Sequence, residues 1–169
     1  MMNVRAGAVL LLLALPAAAS AQAVAALNPL YQNIKNNLIK SAEQMPEANY
    51  SFKPTPPVRS FGQIIGHVAA SSYAMCATAK GEKDPNSADF EKVTPKAELV
   101  TALKAAFAYC DNAFTWPDTK FTGTGELFGM KMSQLSWLML EVAHDNEHYG
   151  NIVTYTRLKG MVPPSSQGQ

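Results

Sequence analysis

The 169-residue chain contains three histidines, and two of them, His144 and His148, stand four residues apart in "AHDNEHYGNIVTYTRLKGMVPP". Residues at that spacing on a helix project from one side on successive turns, with Cβ atoms about 6 Å apart. Two imidazoles so placed can converge on one metal ion and form half of a site. They can equally be surface or core histidines, because a helical His-x-x-x-His pair does not require a metal. Stepping by three and four from Trp137 gives Glu141, His144, His148, Asn151 and Tyr155, a stripe of aromatic and polar groups. A second stripe, with Leu135, Leu138, Val142, Tyr149, Ile152 and Thr156, has the character of a core seam. The first stripe is expected to wall a cleft. The alternative is that Trp137 and Tyr155 cover a neighbouring helix and the histidines are solvated.

The third histidine, His67, lies far upstream in "SFGQIIGHVAAS". On its own helix it flanks a seam of Phe61, Ile64, Val68 and Met75, where a side chain looks along a groove between helices. If the two histidine-bearing helices are antiparallel neighbours, His67 meets the pair. Three neutral imidazoles without a fourth protein ligand make an open site, completed by water or substrate. The expected cofactor is therefore one divalent ion on His67, His144 and His148. Zinc and nickel come first, with iron, copper or manganese also possible on such a set. Glu141, one turn before His144, is the candidate for proton transfer or for support of the ligands, against the alternative of an exposed helix charge. Asn151 is the candidate for orienting a substrate. Asp145 and Glu147 are expected to point elsewhere into solvent, and Tyr149 to pack. No Ser-His or Cys-His nucleophile pair is evident, and "GTGELFG" lacks the lysine and following helix of a phosphate loop.

Four helical patterns position these residues. The first, about 28–45, carries Leu30, Ile34, Leu38 and Met45 at helical spacing. Prolines 46, 54, 56 and 57 then impose an extended loop. Ser60 is a good N-cap for the second helix, and Gly81 can end it in a left-handed cap. After the polar connection "GEKDPNSADFEK", Thr94 and Pro95 supply cap and first-turn signals for the third helix. That helix aligns Leu99, Leu103, Ala106, Phe107, Cys110 and Phe114. The glycines of "TWPDTKFTGTGELFGMKM" mark a loop with room for a short hairpin. The last helix spans Ser133 to Lys159, with Gly160 as its stop. The fold class expected is all-α, a four-helix bundle whose long connections allow more than simple up-and-down order. The closing "PPSSQGQ" (163–169) is expected to be disordered.

Residues 1–21 resemble a secretory signal peptide. Arg5 precedes an apolar run from Ala8 to Leu15, and Ala19-Ser20-Ala21 fits the small-x-small cleavage rule. That run is well short of the roughly 20 residues that span a bilayer, so cleavage before Gln22, a periplasmic or secreted location and no stable membrane insertion are expected. The domain proper is then 22–162, large enough for one core. Of 14 basic and 13 acidic residues, Arg5 leaves with the leader, so the mature chain carries 13 of each. Neutrality argues against a nucleic-acid partner, which needs a basic field. The expected partners are a small-molecule substrate and, for assembly, a second copy of the chain.

The stretches "SFGQIIGHVAASSYAMC" and "HDNEHYGNIVTYTRLKGMVPPSS" resemble the DinB-like superfamily over nearly the whole mature chain. The carriers are the His…His-x-x-x-His pattern and the Tyr-x-Arg-x-x-Gly-x-x-Pro-Pro ending. The resemblance implies an up-down-down-up bundle that binds a divalent metal through His67, His144 and His148. It also implies a thiol-dependent transferase or isomerase in some members and no assigned reaction in many others. Small thiols are largely cytosolic, so export counts against a thiol cosubstrate, and a metal-activated water makes a hydrolase the other enzyme type expected. A non-catalytic metal-binding or stress-related module is the alternative. The helix order bears on the two cysteines, which are either a disulfide or two buried thiols. Cys76 and Cys110 each fall 16 residues beyond the caps at Ser60 and Thr94, about 24 Å along their helices. If helices two and three run parallel, the cysteines are level and a Cys76–Cys110 bond is expected.

Overall fold

The computed structural model describes residues 22–168, so the expected leader lies outside the described residues. Four long helices carry the fold: α1 (Ala23–Gln44), α2 (Phe61–Lys80), α3 (Lys96–Asp111) and α4 (Gln134–Leu158). A hairpin of β1 (Thr124–Leu127) and β2 (Met130–Ser133), paired antiparallel, leads into α4.

The helix order follows from the cross-contacts. Lys96, at the start of α3, donates to the Glu43 and Met45 carbonyls at the end of α1, so these two helices are antiparallel. A Cβ on Gly62, near the start of α2, would touch Leu99 near the start of α3, and Cys76 bonds Cys110 near their ends. Those two helices are parallel. Gly125, just before α4, packs on Thr78 near the end of α2, so α4 runs against α2. The order is up-down-down-up, and the Cys76–Cys110 disulfide has a Cα separation of 5.4 Å.

Local chemistry sets most of the boundaries. The Ser60 hydroxyl accepts from Gln63 N–H while the Gln63 side chain accepts from Ser60 N–H, a complete capping box. The Ser133 hydroxyl accepts from Ser136 N–H and opens α4. Gly81 and Gly160 hold φ of 69° and 70°, and the next residues, Glu82 and Met161, each donate five residues back to the carbonyls of Ala77 and Thr156.

Three expectations are corrected here. Helix α1 begins at Ala23 rather than near Asn28, with Pro29 inside it, because the Asp118 carboxylate accepts from both Ala23 and Val24 N–H at 2.8 and 3.0 Å. Its buried face runs through Val24, Tyr31, Ile34 and Leu38, and Leu30 is 57% exposed. Thr94 is not the cap of α3; Pro95 holds that position and no side chain closes it. Residues 163–168 are ordered, not a disordered tail. Pro164 is buried, Tyr149 Oη accepts from Ser165 N–H, and Gln167 reaches Gln44.

The core lies between all four helices, with Trp137, Tyr31, Phe61, Phe107 and Phe114 fully or almost fully buried. Each such side chain contributes about 1.5–3 kcal/mol by leaving water. Among the described residues, no helix is long and apolar enough to cross a membrane.

Candidate metal centre

The antiparallel contact of α2 with α4 brings His67 to His144 and His148. His67 Nε2 lies 3.2 Å from His144 Nε2, and His144 Nε2 lies 3.0 Å from His148 Nε2. Together the three form a cluster able to hold a metal ion. Two nitrogens bound tetrahedrally to one zinc at about 2.0–2.1 Å would stand about 3.3 Å apart. The spacing found is close to that.

The second nitrogen of each ring decides the chemistry. His67 Nδ1 lies 2.8 Å from Glu91 Oε1, where an Nδ1–H donates to the carboxylate. The Ser71 hydroxyl donates to the His67 and Val68 carbonyls and sits 3.5 Å from His144 Nδ1, so its oxygen is left to accept from that nitrogen. A neutral ring with its proton on Nδ1 has a bare Nε2. In that form the His67 and His144 rings turn Nε2 lone pairs into the same space, 3.2 Å apart, where a cation would take both. His148 Nδ1 is buried and has no hydrogen-bond partner. Burial first, then the neighbouring imidazoles, lowers the pKa of His144 to about 4. Burial and His67 lower His148 to about 4 against the opposing charge of Glu147. Both rings are neutral at pH 7 and ready to ligate without losing a proton. The donor set fits a divalent ion.

Glu91 was not among the residues expected from the sequence. It sits on a single 3-10 turn, Phe90–Lys92, within the polar connection after α2, and is held by Arg59 through Nε at 2.9 Å and Nη2 at 3.2 Å. Partial burial pushes its carboxyl up, but the bonds and charges of Arg59 and His67 outweigh that and hold it below the usual range. One sequence signal could have found it. Gly66, immediately before His67, is a glycine inside an apolar helix, and a Cβ there would come 2.3 Å from the Phe90 carbonyl oxygen. Only glycine lets the 90–92 turn lie against α2 at the histidine.

Beside the histidines opens a cleft of about 530 Å³, lined by Arg59, Glu147, His148, Asn151 and Tyr155 with apolar side chains of the 54–58 loop. Asn151 is exposed there. The carboxylates differ from expectation. Glu141 does not line the cleft: it is fully buried, and its oxygens group with Cys76 and Cys110 instead of with the histidines. Asp145, expected in solvent, is fully buried beside Glu141, whose negative charge acts on it. The cause is that α4 is covered on both sides, so positions 137, 141 and 145 point into the core. Burial raises Glu141 to about 7 and raises Asp145 strongly. Glu147 is exposed, but it faces the cleft rather than away from it.

Residues 30–152 match the family model of the DinB superfamily. The chain belongs to the DinB superfamily. Two crystal structures of DinB-like proteins share its fold. One, from Bacillus cereus, is 18% identical with a TM-score of 0.67, over 79% of this chain and 91% of that one. The other, from Bacillus subtilis, is 20% identical with a TM-score of 0.66, over 85% of this chain and 99% of that one. No curated protein matches this DinB-superfamily chain.

Proposed function

We propose that this protein is an exported metalloenzyme of the DinB superfamily. It acts on a small molecule as a hydrolase or thiol-dependent transferase, with His67, His144 and His148 holding one divalent ion. The observation that carries the proposal is the meeting of three imidazole Nε2 atoms at 3.0–3.2 Å beside an open cleft. Zinc or nickel is the ion proposed, since three neutral imidazoles suit both. Once bound, the ion supplies Lewis acidity to a group entering from the cleft. The chain's own residues do the rest. Glu91 fixes the His67 tautomer and is itself held by Arg59. Asn151 orients the substrate from the cleft wall. Glu147 takes the proton-transfer role first assigned to Glu141, because it is the carboxylate that reaches the cleft. The 1–21 leader is removed before Gln22, so the enzyme works outside the cytoplasm, as a monomer or a homodimer.

Elemental analysis of the purified protein should give one divalent ion per chain, and His67→Ala should lose it as fully as His148→Ala. Full occupancy in His67→Ala would overturn the site. Mass spectrometry of mature protein should find Gln22 at the N-terminus, and an intact Met1 would overturn export. A second reading, a metal-binding module without turnover, is favoured by one observation: Glu141 and Asp145 lie in the core, which leaves Glu147 as the sole carboxylate lining the cleft. Hydrolase and thiol-transfer screens on loaded and chelated protein separate the two, since only an enzyme shows turnover that chelation removes.

A further inference from the structure

The cleft beside the histidines is built unevenly, and its polar side is fixed in advance. Arg59 stands at its edge, immediately before the α2 cap, and is tied down at both ends. Its backbone carbonyl accepts from the Tyr155 hydroxyl at 2.6 Å, and its Nε and Nη2 donate to Glu91. A guanidinium has five N–H donors, so two are used and three are left. Among the described residues no hydrogen bond is made by Arg59 Nη1, and the side chain is 43% exposed while lining the cleft. The result is a rigid, half-open cation whose unused donors have no partner within the chain. Such a fork matches the geometry of a carboxylate.

The surroundings narrow the ligand further. The Glu91 carboxylate already offsets most of the Arg59 charge, and Glu147, next to His148 in sequence, adds a negative charge to the cleft lining. A dianion would meet that field badly, whereas a monoanion placed on the Arg59 side meets a net attraction. The cleft lining shared by Arg59 and His148 also includes Pro57, Val58 and Ile64, apolar groups suited to a short alkyl spacer.

We propose that the substrate is a small carboxylic acid whose carboxylate is received by Arg59, with a short apolar spacer leading to the end that meets the histidine site. Arg59 is then a specificity residue as well as the holder of Glu91. This assignment rests on the metal reading above, so its test separates the two.

Protein loaded with Co(II) is titrated with mercaptoacetate, 3-mercaptopropionate and 4-mercaptobutyrate and with the corresponding primary amides, following the Co(II) absorption bands. The thiol end is common to each pair, and only the remote charge differs. At least one acid should bind about tenfold more tightly than its amide, a preference already discounted for the partial exposure of Arg59. Arg59→Gln should bring acid and amide to within about twofold, and Arg59→Lys should keep part of the preference. Co(II) content is measured on every sample. Failure of the unmutated protein to hold Co(II) overturns the metal reading itself. Full Co(II) content with acid and amide bound equally by the unmutated protein overturns the carboxylate assignment alone. A preference that survives Arg59→Gln overturns the role of Arg59.

Discussion

Helix α4 carries two polar clusters less than two turns apart, and they have opposite characters. His144 and His148 face His67 on α2, with Ser71 behind the His144 ring and His148 lining a cleft. Glu141 and Asp145 face the centre of the bundle, fully buried, with the Cys76–Cys110 disulfide and Tyr31 nearby. Both clusters are i, i+4 pairs of groups that could ligate or move protons. The difference lies entirely in what covers them. A histidine pair that meets a third imidazole beside open space forms a cluster able to hold an ion. A carboxylate pair without open space becomes a buried load that the rest of the core must offset.

The largest test of that contrast removes the disulfide that closes the buried cluster. The bond joins residues 34 apart, and a loop of that length gives a chain-entropy stabilisation of about 3–4 kcal/mol. Cys76→Ala with Cys110→Ala should lower the urea midpoint accordingly, while Co(II) content stays at one per chain. Loss of the ion in this variant would mean that the two clusters are not independent.

The buried acids should next reveal themselves through pH. Burial raises Glu141 from 4.5 to about 7, so the folded protein keeps a proton that the unfolded chain has already lost. Its contribution to stability is full below about pH 4.5 and is lost as pH rises to about 7. Glu141→Gln cannot ionise, so it should flatten that decline and exceed the unmutated protein by about 2 kcal/mol at pH 8. Urea midpoints between pH 4.5 and 8 measure this, and equal slopes for the two proteins would discard it.

On the open side, Glu91→Ala should weaken metal binding by about 10–100-fold with little change in thermal stability of the metal-free protein. Gly66→Ala should do the same from the other direction, because its Cβ would displace the Phe90 carbonyl and with it Glu91. Competition with a chromophoric chelator gives both constants, and an unchanged affinity in Glu91→Ala would remove it from the site. The smallest effect belongs to Tyr155→Phe. Losing the hydroxyl bond to the Arg59 carbonyl should cost about 1 kcal/mol of stability and leave metal affinity within a few-fold. A larger loss of metal would place Tyr155 closer to the ion than its hydrogen bond suggests.

The same contrast explains what the sequence could and could not convey. Ser60, Gly81, Ser133 and Gly160 set boundaries by chemistry local to a few residues, so those helix ends were legible. The first turn of α1 was not, because its cap, Asp118, lies 95 positions away from Ala23. The three histidines could be grouped because i, i+4 spacing and one flanking position suffice to align them on antiparallel helices. Glu91 lies on an irregular turn with no periodicity to bring it forward, and its trace in the sequence was Gly66. The 137–155 stripe reads as one surface in the sequence, whereas Trp137 and Glu141 are roofed by other helices and Asn151 and Tyr155 border the cleft. A helical stripe gives angular position only. What stands opposite each level of it is decided by the bundle.

His67 and His144 are 77 positions apart, and that separation affects the order of events during biosynthesis. No fragment ending before α4 contains more than one of the three ligands, and the 144–148 pair gains its third member only after the last helix has packed on α2. Closing so large a loop is slow relative to forming the helices themselves. An ion held by these three histidines would thus be acquired by a nearly finished domain, and the choice among metals of similar affinity would fall to whichever is available where folding ends.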